Sequence, residues 1–358
     1  MGICFGNNDP KIKINKESKH SMEKKENKNI KFHKKEQFKN INLLNDFENE
    51  TIGFTNIGNS CYINSFLQLL LHCPNFLKKL KKIIKKNDDD CLINDLIKLS
   101  KDIKNDYNYI VSIKNHMKVI NPSYGTSNQG DSQIFGKDLI NEIINYIKGY
   151  NSFYSDYEDK NIHDKKKKYE HFKNLYQQNE CEIEKMFVIN EIKYKYKSKQ
   201  SYDISFSSFL DIEICFPDNA QKDYSLKNLL DLKYGSNIFK NEKICKIMKK
   251  ICKLPKILII TISRSILNQE LNKSKLKYPI NLDFQEYYEN IDDREIKTNY
   301  ELFGINLKCG NSKYNGHCFC YLNINNAWYV FEDKRVEKEE PRFSSENVIG
   351  LFYKEIDD

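Results

Sequence analysis

The apolar positions divide the chain into two parts. Residues 7 to about 49 are polar, rich in Lys, Asn and Glu, and almost empty of large apolar clusters. Such a segment cannot offset the entropy that it would lose on ordering, so we predict that residues 1–50 form a disordered tail. Residues 51–356 carry helical and strand-like apolar patterns, which predict one folded domain.

The first third of this domain has helical spacing. Phe66, Leu69 and Leu70 recur at helical intervals behind a Gly-Asn-Ser start. A polar insertion after Lys148, which contains Lys165–Lys168, is predicted to be a loop or a helix extension. The segments predicted to be helical are Cys61–Leu71, 92–120 and Asp138–Ile147.

From Met186 onward the pattern changes to short apolar runs of strand length. Helices followed by strands indicate an α+β fold with segregated elements, because an α/β fold would alternate them. The predicted strands are Met186–Ile192, Ser208–Ile214, Ile257–Ile262, Tyr300–Leu307, Cys318–Leu322 and Trp328–Phe331.

Composition narrows the class of protein. The chain has 358 residues, 39% of them hydrophobic, so it can bury a sizeable core. The net charge of +8 is mild for this length, and no basic helix with interleaved aromatics predicts nucleic-acid binding. Eleven scattered cysteines, an odd number without a signal peptide, favour a reducing, cytoplasmic location. No apolar run approaches the ~20 residues of a membrane span.

The segment Gly53–Gln68 carries the first candidate chemistry. A glycine-containing turn delivers Cys61 to the first residues of a helix, where unpaired amides and the helix dipole favour the thiolate. Asn56 is placed to aim its side-chain amide at a developing oxyanion. A lone cysteine is more often a buried structural residue, so the catalytic interpretation requires a partner elsewhere in the chain.

That partner lies in the segment Asn315–Asp333, which is typical of two strands around an Asn-rich turn. A two-residue turn that starts at Ile324 would pair His317 with Glu332. A three-residue loop from the same residue would pair His317 with Asp333. Either carboxylate would orient the imidazole. The result would be the nucleophile, base and orienting group of a cysteine hydrolase.

These two segments resemble the Cys box and the His box of the ubiquitin-specific proteases, in the family's order. Between them, Gln129–Phe135 resembles the family's Gln/Asp box, and Leu254–Arg264 resembles its palm strand. The resemblance covers residues 51–356 and is too dense for chance. The matching positions are Gly53, Asn56, Gly58, Asn59, Cys61, Tyr62, Asn64, Ser65, Leu67 and Gln68 in the first box, and Tyr300, Leu302, Gly310, Gly316, His317, Tyr321, Trp328, Phe331, Asp333 and Val336 in the second.

The resemblance implies a papain-like cysteine protease with a helical thumb, a β palm and β fingers that grip ubiquitin. It implies hydrolysis of the isopeptide or peptide bond after the last glycine of ubiquitin, so ubiquitin and ubiquitinated proteins are the expected partners. The catalytic residues that it implies are Cys61 as nucleophile, His317 as base, Glu332 or Asp333 as orienting acid, and Asn56 at the oxyanion. The implied substrate contacts are Gln68, Gln129 and Asp131.

Two departures from the family pattern bear on activity. Glu332 stands directly after the Phe of the His box, where the family usually has the triad Asp or Asn. This position still favours Glu332 over Asp333 as the triad carboxylate. Ile134 replaces a family Glu that resembles a grip on the basic ubiquitin tail. Both favour an alternative, a catalytically weak ubiquitin-binding module, and a third reading is a protease for another ubiquitin-like modifier. Asp131 has its own alternative as a helix cap.

The cysteine pairs that hold zinc in the fingers of the family are missing. Tyr194 and Lys197 stand where the first pair is expected, and Cys245 and Cys252 lack the spacing of a tetrahedral site. We therefore predict no structural zinc and no other cofactor.

The first residues resemble an acylation signal. Gly2 would accept myristate and Cys4 palmitate, and the lysines that follow would add attraction to anionic lipid. Gly6 stands where Ser or Thr is preferred, so an unmodified tail is the alternative. The sequence thus predicts a cytoplasmic protein with an option of attachment to a membrane surface.

Overall fold

The protein is described by a computed structural model over most of the predicted domain. The described residues are 51–83, 91–125, 129–149, 157–197, 201–217, 223–235, 237–241, 243–265, 271–310 and 315–356, with backbone alone for 237–241 and 243–245. The predicted tail of residues 1–50, with Gly2 and Cys4, lies outside them.

Helices dominate the first part of the domain. The helices are α1 (Cys61–Leu71), α2 (Phe76–Ile83), α3 (Leu92–Lys101), α4 (Asp106–Ile120), α5 (Ser132–Lys148), α6 (Lys165–Tyr176), α7 (Glu182–Phe187) and α8 (Leu226–Tyr234). The helix predicted over Cys61–Leu71 is confirmed, and the segment predicted as 92–120 divides into α3 and α4. In the lysine-rich insertion, Lys165–Tyr176 form the helix α6. None of the helices in the described ranges is both long and apolar enough to cross a bilayer.

The strands follow, and those of the described residues form three sheets. They are β1 (Ile189–Tyr196), β2 (Tyr202–Phe209), β3 (Ile212–Cys215), β4 (Tyr224–Ser225), β5 (Asn237–Asn241), β6 (Lys243–Lys253), β7 (Ile257–Ser263), β8 (Leu276–Lys277), β9 (Asn281–Asp283), β10 (Asn299–Cys309), β11 (His317–Ile324), β12 (Ala327–Glu332), β13 (Arg335–Lys338), β14 (Ser344–Ser345) and β15 (Val348–Glu355). The large sheet has the order β13-β12-β11-β10-β15-β7-β3, with β9 beside β10. A four-stranded sheet has the order β2-β1-β6-β5, and a small one the order β14-β8-β4.

Two of the predicted strands are wrong in detail. Met186 and Phe187 end the short helix α7, where Glu184 closes the first turn on Cys181, so the strand starts only at Ile189. The strand predicted over Ser208–Ile214 is interrupted, because β2 ends at Phe209 and β3 starts at Ile212. In both places an apolar run continues across a change of element, which hydrophobicity alone does not reveal.

Helix α1 lies at the centre of the larger core. All of its residues are buried, and its Phe66 packs edge-on against Phe352 of β15 with ring centroids 5.5 Å apart. The buried residues of β11, among them Cys318 and Cys320, belong to the same core cluster. The start of α1 is therefore fixed against the end of the sheet that carries β11 and β12.

The four-stranded sheet has an aromatic core of its own. Tyr169 and Phe172 of α6 pack against Phe206 of β2, with ring centroids 5.1 and 5.5 Å from it. Tyr194, at a position where the family's zinc knuckle is expected, is buried and donates a hydrogen bond to Glu289 at 2.5 Å. Helix α6 thus packs apolar side chains against one face of this sheet. Over the described residues, no three His, Cys, Asp or Glu side chains are grouped as metal ligands.

We expect this sheet to be stable without metal. Protein purified without added zinc should contain far less than one zinc per chain, because Tyr194 and Lys197 stand where the first cysteine pair of a tetrahedral site is expected. A chelator should leave the melting temperature unchanged, whereas Phe172→Ala should lower stability by about 3–5 kcal/mol through the cavity that it leaves. Stoichiometric zinc, or a melting temperature that falls with chelator, would contradict this prediction.

Candidate active site

The turn before α1 places Cys61 at the first position of the helix. Gly58 and Asn59 both have positive φ, 93° and 48°, which a glycine and an asparagine adopt readily. The side-chain oxygen of Asn56 accepts hydrogen bonds from the backbone amides of Gly58 and Ser60, at 3.0 and 3.3 Å. This turn leaves Cys61 only 4% exposed, at the N-terminal end of the helix dipole.

A second thiol and an amide surround the Cys61 sulfur. Gln129 Nε2 donates to Cys61 Sγ at 3.3 Å and lies 3.9 Å from the Sγ of Cys318. The hydrogen bond from the Cys318 thiol is the largest cause that lowers the pKa of Cys61 to about 4, with His317 contributing and burial opposing. The Cys61 sulfur is therefore a thiolate over the physiological pH range.

His317 connects the thiol to a carboxylate. The pKa of the imidazole is raised, and its hydrogen bond with Cys61 is the largest cause. The negative charges of Asp333 and Glu332 raise this pKa further, while burial lowers it. Nε2 lies 3.1 Å from Glu332 Oε1, which leaves Nδ1 for the thiol. The Nε2–H direction is not aligned with any acceptor among the described residues, so the contact with Glu332 is an ion pair with imperfect geometry.

Both registers that the sequence suggested for this hairpin are wrong. Asn325 and Asn326 form the turn, each with positive φ, and Ile324 pairs with Ala327. The predicted turns start one residue too early, because two successive asparagines accept the left-handed conformation better than Ile324 does. Continued past its last pair, this register places Glu332 diagonally across from His317, a separation that a long side chain can span.

Asp333 does not contact the imidazole directly but holds Asn56. Its Oδ2 accepts from Asn56 Nδ2 at 2.8 Å, and its Oδ1 accepts from Asn64 Nδ2 at 2.7 Å. The Asp333 carbonyl accepts from Phe54 N at 2.9 Å, and a Cβ on Gly53 would lie 2.1 Å from that oxygen. The side chain of Asn56 is thereby held at both its oxygen and its nitrogen, and one of its two N–H groups is engaged by Asp333.

The three predicted substrate contacts have different surroundings. Gln129 is half-buried and contacts the Cys61 sulfur. Asp131 caps α5, since its Oδ1 accepts from the amides of Gln133 and Ile134 at 2.9 and 3.1 Å, which is the alternative that the sequence left open. Gln68 is 2% exposed and donates to the Ile52 carbonyl at 2.9 Å, so its place in the fold argues against the predicted contact with substrate.

Two residues at the site were missed by the sequence reading. Cys318 follows His317 on β11 and its side chain lies on the buried face of the strand. Only the packing of α1 brings Cys61 against Cys318. Asn64, which anchors Asp333, was recognised as a matching position without a role. Strand alternation predicts that Cys318 is buried, but it cannot identify which helix covers that face.

The lowered pKa of Cys61 predicts reactivity in acid. A thiolate is present above the folded pKa, so alkylation of Cys61 by iodoacetamide should stay nearly constant from about pH 8 to about pH 5 and fall towards pH 4. An ordinary thiol, with a pKa of about 8.5, would lose about tenfold per pH unit over that range. The measurement is the rate of modification of the Cys61 peptide by mass spectrometry.

Cys318→Ala should move this midpoint upward, because it removes the largest contribution that lowers the pKa. Cys320→Ala, two residues along the same buried face, is the matched control and should leave the midpoint in place. A wild-type midpoint near the ordinary thiol value, or identical shifts in the two variants, would contradict this description of the site.

Comparison with known proteins identifies the family. The profile of the family described as ubiquitin carboxyl-terminal hydrolase matches residues 52–353. The chain belongs to the ubiquitin carboxyl-terminal hydrolase family. The predicted resemblance to ubiquitin-specific proteases and the predicted class, a cysteine-type deubiquitinase, are confirmed.

Relatives in plants and solved structures agree with this assignment. Ubiquitin carboxyl-terminal hydrolase 4 of Arabidopsis thaliana is 24% identical over 320 residues, which cover 80% of this chain and 84% of the relative. Ubiquitin carboxyl-terminal hydrolase 16 of the same plant is 28% identical over 151 residues, which cover 40% of this chain but only 15% of the relative.

One chain of the structure of the SAGA Ubp8/Sgf11/Sus1/Sgf73 DUB module bound to ubiquitin aldehyde shares this fold. The TM-score is 0.69 at 18% identity, over 87% of this chain and 71% of that one. A structure of the same four-protein module bound to monoubiquitin gives a TM-score of 0.66 at 18% identity, over 87% and 70% of the two chains. These likenesses confirm the predicted α+β, papain-like fold with thumb, palm and fingers.

Proposed function

We propose that this deubiquitinase cleaves the bond after the C-terminal glycine of ubiquitin with Cys61 as nucleophile and His317 as proton carrier. The observation that carries the proposal is the thiol of Cys61, with a pKa of about 4, in hydrogen-bonding contact with His317. The imidazole in turn lies 3.1 Å from Glu332. These three side chains lie together, which supports their proposed roles as nucleophile, base and orienting carboxylate in an acyl transfer.

The proposed reaction follows from these positions. The Cys61 thiolate attacks the carbonyl carbon of the terminal glycine, and the developing oxyanion is met by the free N–H of Asn56. His317 then gives its proton to the departing amine, which leaves a thioester on Cys61. Water attacks the thioester while His317 takes its proton, and ubiquitin leaves with a free carboxylate.

Gln129 is the second candidate donor to the oxyanion. Its Nε2 lies 3.3 Å from the Cys61 sulfur, close to where the attacked carbonyl must sit. We therefore reassign this residue from a general substrate contact to a proposed group of the reaction centre. Asp131 stays a proposed contact of the substrate tail, although its carboxylate already serves as the cap of α5.

Two sequence features, Glu332 and Ile134, favoured the alternative of a catalytically weak binding module, and the position of Glu332 no longer favours it. Glu332 departs from the family pattern, but its carboxylate reaches His317. Ile134 is 42% exposed on the first turn of α5, so the missing carboxylate there bears on affinity for the tail and not on the reacting groups.

Ubiquitin itself is the proposed substrate. The test is a set of probes in which ubiquitin and other ubiquitin-like modifiers carry the same electrophile at the C-terminus. Rapid labelling by ubiquitin alone is expected. Labelling by another modifier in preference would replace the substrate, and no labelling by any probe would favour the binding module.

Cytoplasmic location with attachment to membranes through Gly2 and Cys4 stays a proposal from the sequence. Stable attachment requires a second anchor beside one myristoyl chain, and Cys4 and the lysines of the tail would supply it. Fractionation of cells that express wild type and Gly2→Ala tests this. Equal distribution of the two forms would reject it.

A further inference from the structure

A chain of ionised side chains continues from His317 beyond the triad. Glu332 presents Oε1 to His317 Nε2 at 3.1 Å, while its Oε2 accepts from Arg335 Nη1 at 3.0 Å. Arg335 is held in turn by Glu337, because Nε and Nη2 donate to Oε1 and Oε2 of that carboxylate at 2.9 and 2.8 Å. One edge of the guanidinium is therefore bound in a bidentate pair, and the remaining nitrogen is directed at Glu332.

The backbone imposes this arrangement. Glu332 and Arg335 are a directly opposed pair of β12 and β13, on either side of the two-residue turn Asp333–Lys334. Asp333 has φ of 52°, which closes the turn tightly. Opposed residues of an antiparallel pair have their side chains next to each other, so the contact does not depend on a chance meeting of two long side chains.

Glu332 needs such a restraint more than the shorter acid of the family would. It has one more rotatable bond than aspartate, its side chain is 37% exposed, and the imidazole N–H is not aligned with it. A glutamate held only at one oxygen would distribute over several rotamers, and most of them would carry Oε1 away from His317. Arginine is suited to the restraint because its planar fork binds two carboxylates at fixed angles, which a lysine cannot do.

We infer that Arg335 is a positioning residue of this enzyme, which holds the Glu332 carboxylate in the rotamer that serves His317. The inference rests on the proposed role of Glu332 in the reaction. Arg335 acts through Glu332, and Glu337 acts through Arg335. Exposed ion pairs commonly contribute little to stability, so the effect is expected in turnover and not in the melting temperature.

Arg335→Ala should lower kcat about three- to fivefold and leave KM nearly unchanged, because it perturbs the base and not the binding of ubiquitin. The loss should disappear when Glu332 is already Gln, since the carboxylate that the guanidinium positions is then absent. Lys334→Ala is the matched control, because it removes the same charge from an exposed position of the same turn.

The experiment measures kcat and KM on a ubiquitin C-terminal fluorogenic substrate for wild type, Arg335→Ala, Lys334→Ala, Glu332→Gln and the double variant Glu332→Gln/Arg335→Ala. A loss on Arg335→Ala that is absent from the Glu332→Gln background supports the inference. No loss, an equal loss in both backgrounds, or the same loss on Lys334→Ala overturns it. Should Arg335→Ala fail to fold, Glu337→Gln tests the same link, with a smaller loss that must also vanish in the Glu332→Gln background.

The same data separate this inference from the proposed function. If Glu332→Gln lowers kcat and Arg335→Ala does not, the proposed triad is supported and the positioning role of Arg335 is rejected. If Glu332→Gln leaves kcat at the wild-type value, the proposed acid itself is wrong, and the positioning role falls with it.

Discussion

Cys61→Ala is expected to abolish hydrolysis while ubiquitin binding and folding persist. The loss should be at least about 10⁴-fold in kcat, because no other group forms the thioester. Folding should survive, since the change removes only one sulfur from a helix start that the packing of α1 already fixes. The measurements are turnover of a ubiquitin C-terminal fluorogenic substrate and the Kd for ubiquitin by calorimetry.

Cys73→Ala is the matched control for this prediction. Cys73 is another buried thiol of the same core, 2% exposed, just beyond the end of α1. It should keep wild-type turnover, so that any loss in Cys61→Ala belongs to the site and not to the removal of a core sulfur. Turnover by purified Cys61→Ala above a few per cent of wild type would reject Cys61 as the nucleophile.

Glu332→Gln is expected to have the second largest effect, a fall in kcat of about 10²-fold or more with little change in KM. Gln keeps the size of the side chain but removes the charge that stabilises the imidazolium at 3.1 Å. Asp333→Asn should be milder, because Asp333 acts on Asn56 and the new amide can still accept one hydrogen bond.

The ranking of the two variants distinguishes the two carboxylates. A larger loss on Asp333→Asn than on Glu332→Gln would transfer the orienting role to Asp333. Wild-type kcat in the double variant Glu332→Gln/Asp333→Asn would mean that His317 is oriented from elsewhere or is not the base. Thermal unfolding of each variant checks that the turn between β12 and β13 is intact.

The residues of the site could be predicted from sequence because the family pattern fixes their order and their neighbours. The helix that starts at Cys61 needed only the turn residues before it and the apolar spacing after it. The partner His317 needed the second motif. The sequence also narrowed the orienting carboxylate to Glu332 or Asp333, and the structure gives the two different partners, His317 for Glu332 and Asn56 for Asp333.

The hairpin register and the second thiol could not be predicted, for different physical reasons. A turn among Ile324, Asn325 and Asn326 can start at either of two residues, and only the conformations of the asparagines decide between them. Cys318 alternates away from His317 along the strand, so its contact with Cys61 depends on tertiary packing alone. The burial of Gln68 also depends on tertiary packing, because the whole of α1 is buried.

The position of the covalent bond that the enzyme forms identifies its nucleophile. Wild-type protein is treated with ubiquitin that carries an electrophile in place of its C-terminal carboxylate, then digested and analysed by mass spectrometry. We expect stoichiometric labelling on the peptide that contains Cys61, lost in Cys61→Ala and unchanged in Cys73→Ala. An adduct on Cys318 or another cysteine, or labelling that persists in Cys61→Ala, would mean that Cys61 is not the nucleophile.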